Sequence, residues 1–421
     1  MPIELPLQEL DLAKFVKPGD TVTWGQASSE PLCLTEKLVS QRRHIGKFTA
    51  MVGLSLSNTL LPEYNDDINV ISYGALGTNT PLAAAGVLQV VPCNYSAIPQ
   101  LISSGRLRID VVLVQLSPRG PDGHYSLGLS NDHLLPAMQA ARVVIGEVND
   151  QIPCTTLDKP FDEALLDYIV PCSRHAVYAP EHAIGDIEKR IASHLQDVIE
   201  DGAILQYGIG SVPSAIISSL CGHRRLGIHS GMLTDDIIDL IESGAVTNET
   251  NRVRPGTTVG ALVVGSERLS RYLHLNPLVE LHPASKTHGA QTLAQLDRLV
   301  AINSAIEVDL YGQVNAEMAG GRYLGAVGGQ VDFMHAASAH EKGLSIIAMP
   351  SVTNKTKHSR IVAQLNSPLV TTSKSDVDIL VTENGFADLR GKTMQQRAVE
   401  ICSIASPVFQ DDIMRAASAK S

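Results

Sequence analysis

The stretch DGAILQYGIGSVPSAI (201–216) decides how the rest of the chain is read. A β-prone run, Ile204 to Tyr207, ends in Gly208-Ile209-Gly210, and Pro213 then opens an apolar helical pattern. Glycines at a strand-to-helix turn let backbone N–H groups face a ligand, and proline suits a first helical turn. Taken alone, a tight turn with no ligand is the plainer reading. The same order recurs in PGDTVTWGQASSEPLCL (18–34), where Gly19 and Gly25 repeat the spacing of Gly202 and Gly208. Proline follows six residues later in that copy and five in the other. The echo predicts two related α/β domains, residues 1–190 and 191–421. The length agrees, since 421 residues exceed one ordinary core.

Outward from these two units, apolar runs alternate with helical patterns. VVLVQL (111–116), ARVVIGEVN (141–149), VGALVVG (259–265), LSIIAMP (344–350) and DILVTE (378–383) read as strands. PSAIISSLC (213–221), TDDIIDLIESG (234–244) and TMQQRAVEICSIA (393–405) read as helices. Near-continuous Val/Ile/Leu strands joined by helices predict mostly parallel sheets covered on both faces. Such sheets bind ligands beyond the C-terminal ends of their strands, so reactive residues are sought there.

Glu147 and Asn149, in EVNDQIPCT (147–155), stand where a strand ends, and Glu30 holds the matching place in the first copy. Each reads equally well as a turn residue facing water. LGIH ends at Ser230-Gly231, just before a helix that Thr234 or Asp235 can cap. That is a good position for a reactive side chain, and Gly231 supplies none. The loop from Gly325 to Gly329 predicts a mobile flap or a close backbone approach. Lys355, Lys357 and Arg360, in MPSVTNKTKHSRIV (349–362), form a cationic cluster able to hold phosphate, although a lysine-rich loop is ordinarily only solvated.

A formal net charge of −11 argues against a nucleic-acid partner. No stretch approaches the ~20 apolar residues of a membrane span. The N-terminus reads as neither a signal nor a transit peptide, so a cytoplasmic protein is expected. The six cysteines are scattered, none in C-x-x-C, and read as reduced thiols. No histidine pattern fits zinc, so no metal is expected.

In order along the chain come EVNDQIP, LQYGIGSVPSAI, LGIHSGM, INSAIEVDLYGQVNAE, GAVGGQVDF, IIAMPS, SRIV and VTENGFADLRGKTMQQRA. With these segments the chain resembles the acetyl-CoA hydrolase/transferase family of class I CoA-transferases, closest in look to 4-hydroxybutyrate or butyrate CoA-transferases. The resemblance spans nearly the whole chain. It implies the CoA-transferase fold, a homo-oligomer, acyl-CoA as substrate with no covalently bound cofactor, and a small carboxylate as acceptor. It implies that Ala326-Val327-Gly328 shape the acyl pocket, with Gly329 and Gln330 beside them. Gly385, in the TENG segment, would offer backbone to the thioester carbonyl, where N–H groups stabilise a developing oxyanion. Gly208, Gly210, Asn354, Lys355 and Lys357 would lie along the coenzyme.

The family's mechanism is covalent. A glutamate attacks the thioester, giving an acyl-glutamyl anhydride and CoA thiolate. The thiolate then makes a glutamyl-CoA thioester, which the acceptor carboxylate opens. The matching motif here is Ile228-His229-Ser230-Gly231-Met232, with Gly231 at the nucleophile's position. Glycine has no carboxylate, so the anhydride cannot form there. A water activated by Glu147, Glu30 or His229 would instead hydrolyse the ester, with general-base help worth typically ~10²–10⁴-fold. CoA transfer, hydrolysis or C–C cleavage, and binding without turnover stand as the competing readings.

Overall fold

The computed structural model describes residues 2–180, 183–353 and 357–418. It divides into two compact units. The first comprises Met1–Pro180, Gly231–Asp235 and Thr258–Gly289; the second comprises Glu181–Ser230, Asp236–Thr257 and Ala290–Ser421. The sequence reading placed one boundary near residue 190, whereas two later segments return to the first unit. Strand pairing explains the return. Met232–Leu233 pairs with Leu262–Val263, and Val279–Leu281 lies between Thr258–Gly260 and Thr156–Leu157.

The main sheet of the first unit contains β1 (Ile3–Glu4), β2 (Thr21–Trp24), β3 (Phe48–Val52), β4 (Ile68–Ser72), β5 (Leu88–Val90), β6 (Val111–Leu116), β7 (Val143–Asn149) and β8 (Tyr168–Cys172). Its order is β1-β8-β7-β6-β2-β3-β4-β5, and every neighbouring pair is parallel. All six residues of β6 are buried, as expected for a central parallel strand covered on both faces. The second unit holds β9 (Ile204–Tyr207), β10 (Gly227–Ile228), β11 (Leu299–Asn303), β12 (Leu344–Ala348), β13 (Ile379–Thr382) and β14 (Gly385–Asp388). Its order is β10-β9-β11-β12-β13-β14, parallel except for the final hairpin.

The echo in sequence is also an echo in geometry. Gly19 and Gly202 each turn the chain with a positive φ, +86° and +80°. Each is followed by a four-residue strand, β2 or β9, ending at Gly25 or Gly208. Helices α1 (Leu32–Ser40) and α2 (Ser211–Ser219) come next. One expected strand is corrected: VGALVVG breaks into Thr258–Gly260 and Leu262–Val263. The run changes partner at Ala261, where Ala261 and Leu262 donate backbone N–H groups to the Gly231 carbonyl. No helix among the described residues is long and apolar enough to cross a membrane.

Candidate functional site

Because the strands are parallel, the loops leaving them share an edge. In the first unit that edge carries the loops after β2, β3 and β4 and the ends of β7 and β8. Gly231 belongs to the same unit and is buried. Its neighbour Met232 packs on a small apolar cluster of Ala27, Leu54, Leu262 and Val264, joined by Leu56 and Leu76. The structure therefore brings the strand start at Gly231 together with the 25–30, 53–58 and 73–79 loops.

Glu30 is buried in this region. Its carboxylate accepts the hydroxyls of Thr35 (3.0 Å) and Ser57 (2.6 Å), and burial pushes its pKa up. Gln115, on β6, donates to the Glu30 carbonyl (3.2 Å). Glu147 is not a turn carboxylate in water. It is fully buried at the end of β7, and one carboxylate oxygen accepts the Leu34 N–H of α1 (3.2 Å). Burial raises its carboxyl pKa to about 7. Beside it Cys33 and Cys172 form a disulfide, which corrects the reading of all six cysteines as reduced thiols. The two are 139 residues apart in sequence. They meet because β8 pairs with β7 and the first turn of α1 lies over the Glu147 carboxylate.

The sequence reading missed a buried polar network in this unit. Gln26 donates to the Tyr95 hydroxyl and to Asp132 (2.8 Å), and accepts the Tyr73 hydroxyl (2.8 Å). Asp132 also accepts Ser130 Oγ (2.7 Å) and lies 2.5 Å from His133 Nδ1. Burial opposes charge on Asp132, yet His133, Gln26 and Ser130 hold its pKa down at about 2. Ala27 and Asp132 adopt positive φ, +51° and +22°. Such backbone persists in non-glycine residues only when the surroundings fix it. The available signal was Asp132-His133 set inside the otherwise apolar or small run GLSNDHLLPAM (128–138).

In the second unit the edge loops are those after β9, β10, β12 and β13. His229 is buried just past β10, its N–H on the Leu205 carbonyl (3.0 Å). Gly208 donates its N–H to Ile302 (3.1 Å), and Gly210 caps α2 at φ +116°. The loop through Val327, Gly328 and Gly329 leads into α3 (Gln330–Ser338), which packs on β11 and β12. Since α3 turns directly into β12, it runs against the strand, and its N-terminus lies at the loop-bearing edge. Gln330 donates to Thr372 Oγ1 (3.0 Å). A Cβ on Gly325 would stand 1.9 Å from the Ala316 carbonyl oxygen, which is the close backbone approach the sequence predicted.

Gly385 opens β14 opposite Thr382, with φ +141°, across a turn made by Glu383 and Asn384. Glu383 accepts the Ser351 backbone N–H (2.8 Å) and hydroxyl (2.5 Å), tying the TENG turn to the MPS segment. Asn354 and Lys355 lie outside the described residues. Lys357 is exposed, with φ +51°. Arg360 does not join a phosphate cluster: its guanidinium donates to the carbonyls of Ala305 and Ile306. Glu307 accepts Asn315 Nδ2 (3.1 Å), Asn366 N (3.1 Å) and Nδ2 (3.0 Å), and Ser367 N (3.0 Å).

Models of the acetyl-CoA hydrolase/transferase N-terminal domain and C-terminal domain match residues 7–177 and 265–417. This chain belongs to the acetyl-CoA hydrolase/transferase family. It is an enzyme of that acyl-CoA transferase and hydrolase class. It is 35% identical to a 4-hydroxybutyrate coenzyme A transferase of Clostridium kluyveri over 93% of this chain and 92% of the relative. It matches the crystal structure of RipA from Yersinia pestis with a TM-score of 0.93, at 29% identity, covering 99% of this chain and 97% of that one. A 4-hydroxybutyrate CoA-transferase from Porphyromonas gingivalis matches with a TM-score of 0.81 and 29% identity, covering 100% and 98%. The family places this fold among the CoA-transferases, as its sequence motifs implied.

Proposed function

We propose that this enzyme moves CoA between a short acyl-CoA and a small carboxylate without a covalent intermediate at position 231. Family membership and near full-length likeness to a protein named as a CoA transferase support the substrate class. Gly231 carries the second half of the reading, because it offers no carboxylate at the motif's nucleophile position. Glu307 is a poor substitute, since its oxygens are occupied by four donors.

In this reading the acceptor carboxylate itself attacks the thioester carbonyl. The C–S bond breaks, CoA leaves as thiolate, and a mixed anhydride of the two acids forms. The thiolate then attacks the acceptor's carbonyl carbon and releases the first acid, leaving the acceptor as its CoA ester. Backbone N–H at Gly385 and the Val327–Gly329 loop would hold the developing oxyanion and the acyl chain. Lys357, with Asn354, Lys355, Gly208 and Gly210, would hold the coenzyme.

Hydrolysis is the second reading, favoured by the same glycine. A water at residue 231 would attack the thioester and give free acid and CoA thiol, with Glu30 or His229 taking its proton. Glu147 suits that role less well, lodged under α1 against the disulfide.

A paired assay of the chain and its Gly231→Glu variant, with short acyl-CoAs and with or without acetate, separates these readings. Acetate-dependent transfer by the unaltered chain, with no protein-bound CoA thioester trapped by hydroxylamine, is the expected result. CoA release independent of acetate makes it a hydrolase. Transfer by the variant alone overturns the non-covalent reading.

A further inference from the structure

The Cys33–Cys172 disulfide has an unusual neighbour. Cys33 Sγ, Cys172 Sγ and a Glu147 carboxylate oxygen all lie within 4.8 Å of one another. Glu147 is 0% exposed, and among the described residues no donor meets its Oε1 in hydrogen-bond geometry, although the Cys33 backbone and the Asn149 side chain lie close enough to ease its burial. Its other oxygen accepts the Leu34 N–H. A buried carboxylate oxygen without a partner is costly, and a disulfide offers it no proton. Arg174, the nearby cation, is paired with Glu36 at 2.9 Å. Both cysteines are half-buried, so a small thiol can reach the sulfurs from solvent.

We propose that reduction of Cys33–Cys172 converts this cluster into a binding site for a zinc-class divalent cation, held by the two thiolates and Glu147. A dithiol supplies the electrons. One of its thiolates attacks a disulfide sulfur, its second thiol closes the dithiol's own disulfide, and two protein thiols result. Cation binding then releases the two thiol protons. Two thiolates and a carboxylate match zinc's ligand preference, with a solvent molecule completing the tetrahedron. Ligand atoms about such an ion stand roughly 3–4 Å apart, given Zn–S bonds of about 2.3 Å. The bonded sulfurs stand closer than that, and reduction lets them part toward this spacing beside the Glu147 carboxylate. Exchange with a low-molecular-weight disulfide, which takes the two electrons and leaves as two thiolates, re-forms Cys33–Cys172 and expels the ion, so the site is filled only under reducing conditions.

The donors come from three parts of the first unit: the first turn of α1 and the ends of β7 and β8. An ion there would fix α1 against the sheet as the disulfide does. Thr35, on α1, also holds Glu30, so the state of the cluster reaches a candidate reactive group.

The test titrates the full chain with Co²⁺, then Zn²⁺, after dithiol reduction and anaerobic desalting. One equivalent of cobalt with a thiolate-to-cobalt absorption band, displaced by zinc, is expected from the reduced chain and none from the oxidised chain. Cys33→Ser and Cys172→Ser should each abolish the band. Glu147→Gln should weaken binding by at least roughly tenfold, the loss usual even for outer partners of metal ligands. Reoxidation of the loaded wild type should release the ion, which needs no variant to fold. No cobalt uptake by the reduced chain overturns the proposal. So does a band that survives in both cysteine variants, which would assign it to Cys93, Cys154, Cys221 or Cys402. Unchanged affinity in Glu147→Gln removes the carboxylate from the site.

Discussion

The Glu383 carboxylate holds Ser351 at two points, the backbone N–H at 2.8 Å and the hydroxyl at 2.5 Å. This pair connects the turn before Gly385 with the end of the β12 segment. Ser351 is fully buried, so the contact is shielded from solvent. Ser351→Ala keeps the backbone bond and loses the hydroxyl bond to the same carboxylate, a change worth about 1.5–3 kcal/mol. Urea unfolding should show that loss. If Gly385 contacts the thioester, kcat should also fall.

Gly385 and Gly325 are glycines for different reasons. Gly385 has φ +141°, where a side chain is strained whatever the space. Gly325 has no room, its missing Cβ falling 1.9 Å from the Ala316 carbonyl oxygen. Gly385→Ala should cost on the order of 1–3 kcal/mol. Gly325→Ala should cost at least as much, because backbone rather than a flexible side chain must move. Thermal melts of both variants check this.

Glu147 gives the folded protein a signed pH dependence. Its carboxyl holds the proton up to about pH 7, while the unfolded chain releases it near 4.5, the ordinary glutamate value. Between those limits the native state binds more protons, so stability falls as pH rises through the window. At roughly 1.4 kcal/mol per unit the effect is about 3 kcal/mol. With the disulfide kept intact, Glu147→Gln should flatten this slope and be the more stable form above pH about 7. An unchanged slope in denaturant titrations would remove Glu147 as its source.

Asp132 anchors the Gln26, Ser130 and His133 contacts in a fully buried place. Asp132→Ala should cost about 3–5 kcal/mol, as breaking one side of a buried charged network does. Asp132→Asn keeps the shape and should cost less. The difference between the two, read by urea unfolding, isolates the charge.

Much of the fold was legible because its signals are local. VVLVQL is a strand at residues 111–116 as read, since a short run rich in β-branched residues and apolar on both faces suits a covered strand. DILVTE and LSIIAMP are strands within one or two residues of the reading. VGALVVG failed because it pairs with two partners in turn, and no local pattern reports a partner. Arg360 looked like a phosphate ligand by its neighbours in sequence, but carbonyls from a segment some 55 residues earlier take its guanidinium.

The sequence by itself determined the α/β class, the repeated strand–glycine–helix unit, the motifs by which the chain resembles its family, and a residue without a carboxylate at position 231. Each follows from residue type and short spacing, which the chain carries before it folds. Tertiary structure alone decided that residues 231–235 and 258–289 join the first unit, that Cys33 reaches Cys172, and that Glu147 is buried against them. These depend on which strands lie side by side. In a parallel sheet that order is set by crossovers and packing across the whole unit, so residues far apart in sequence become neighbours.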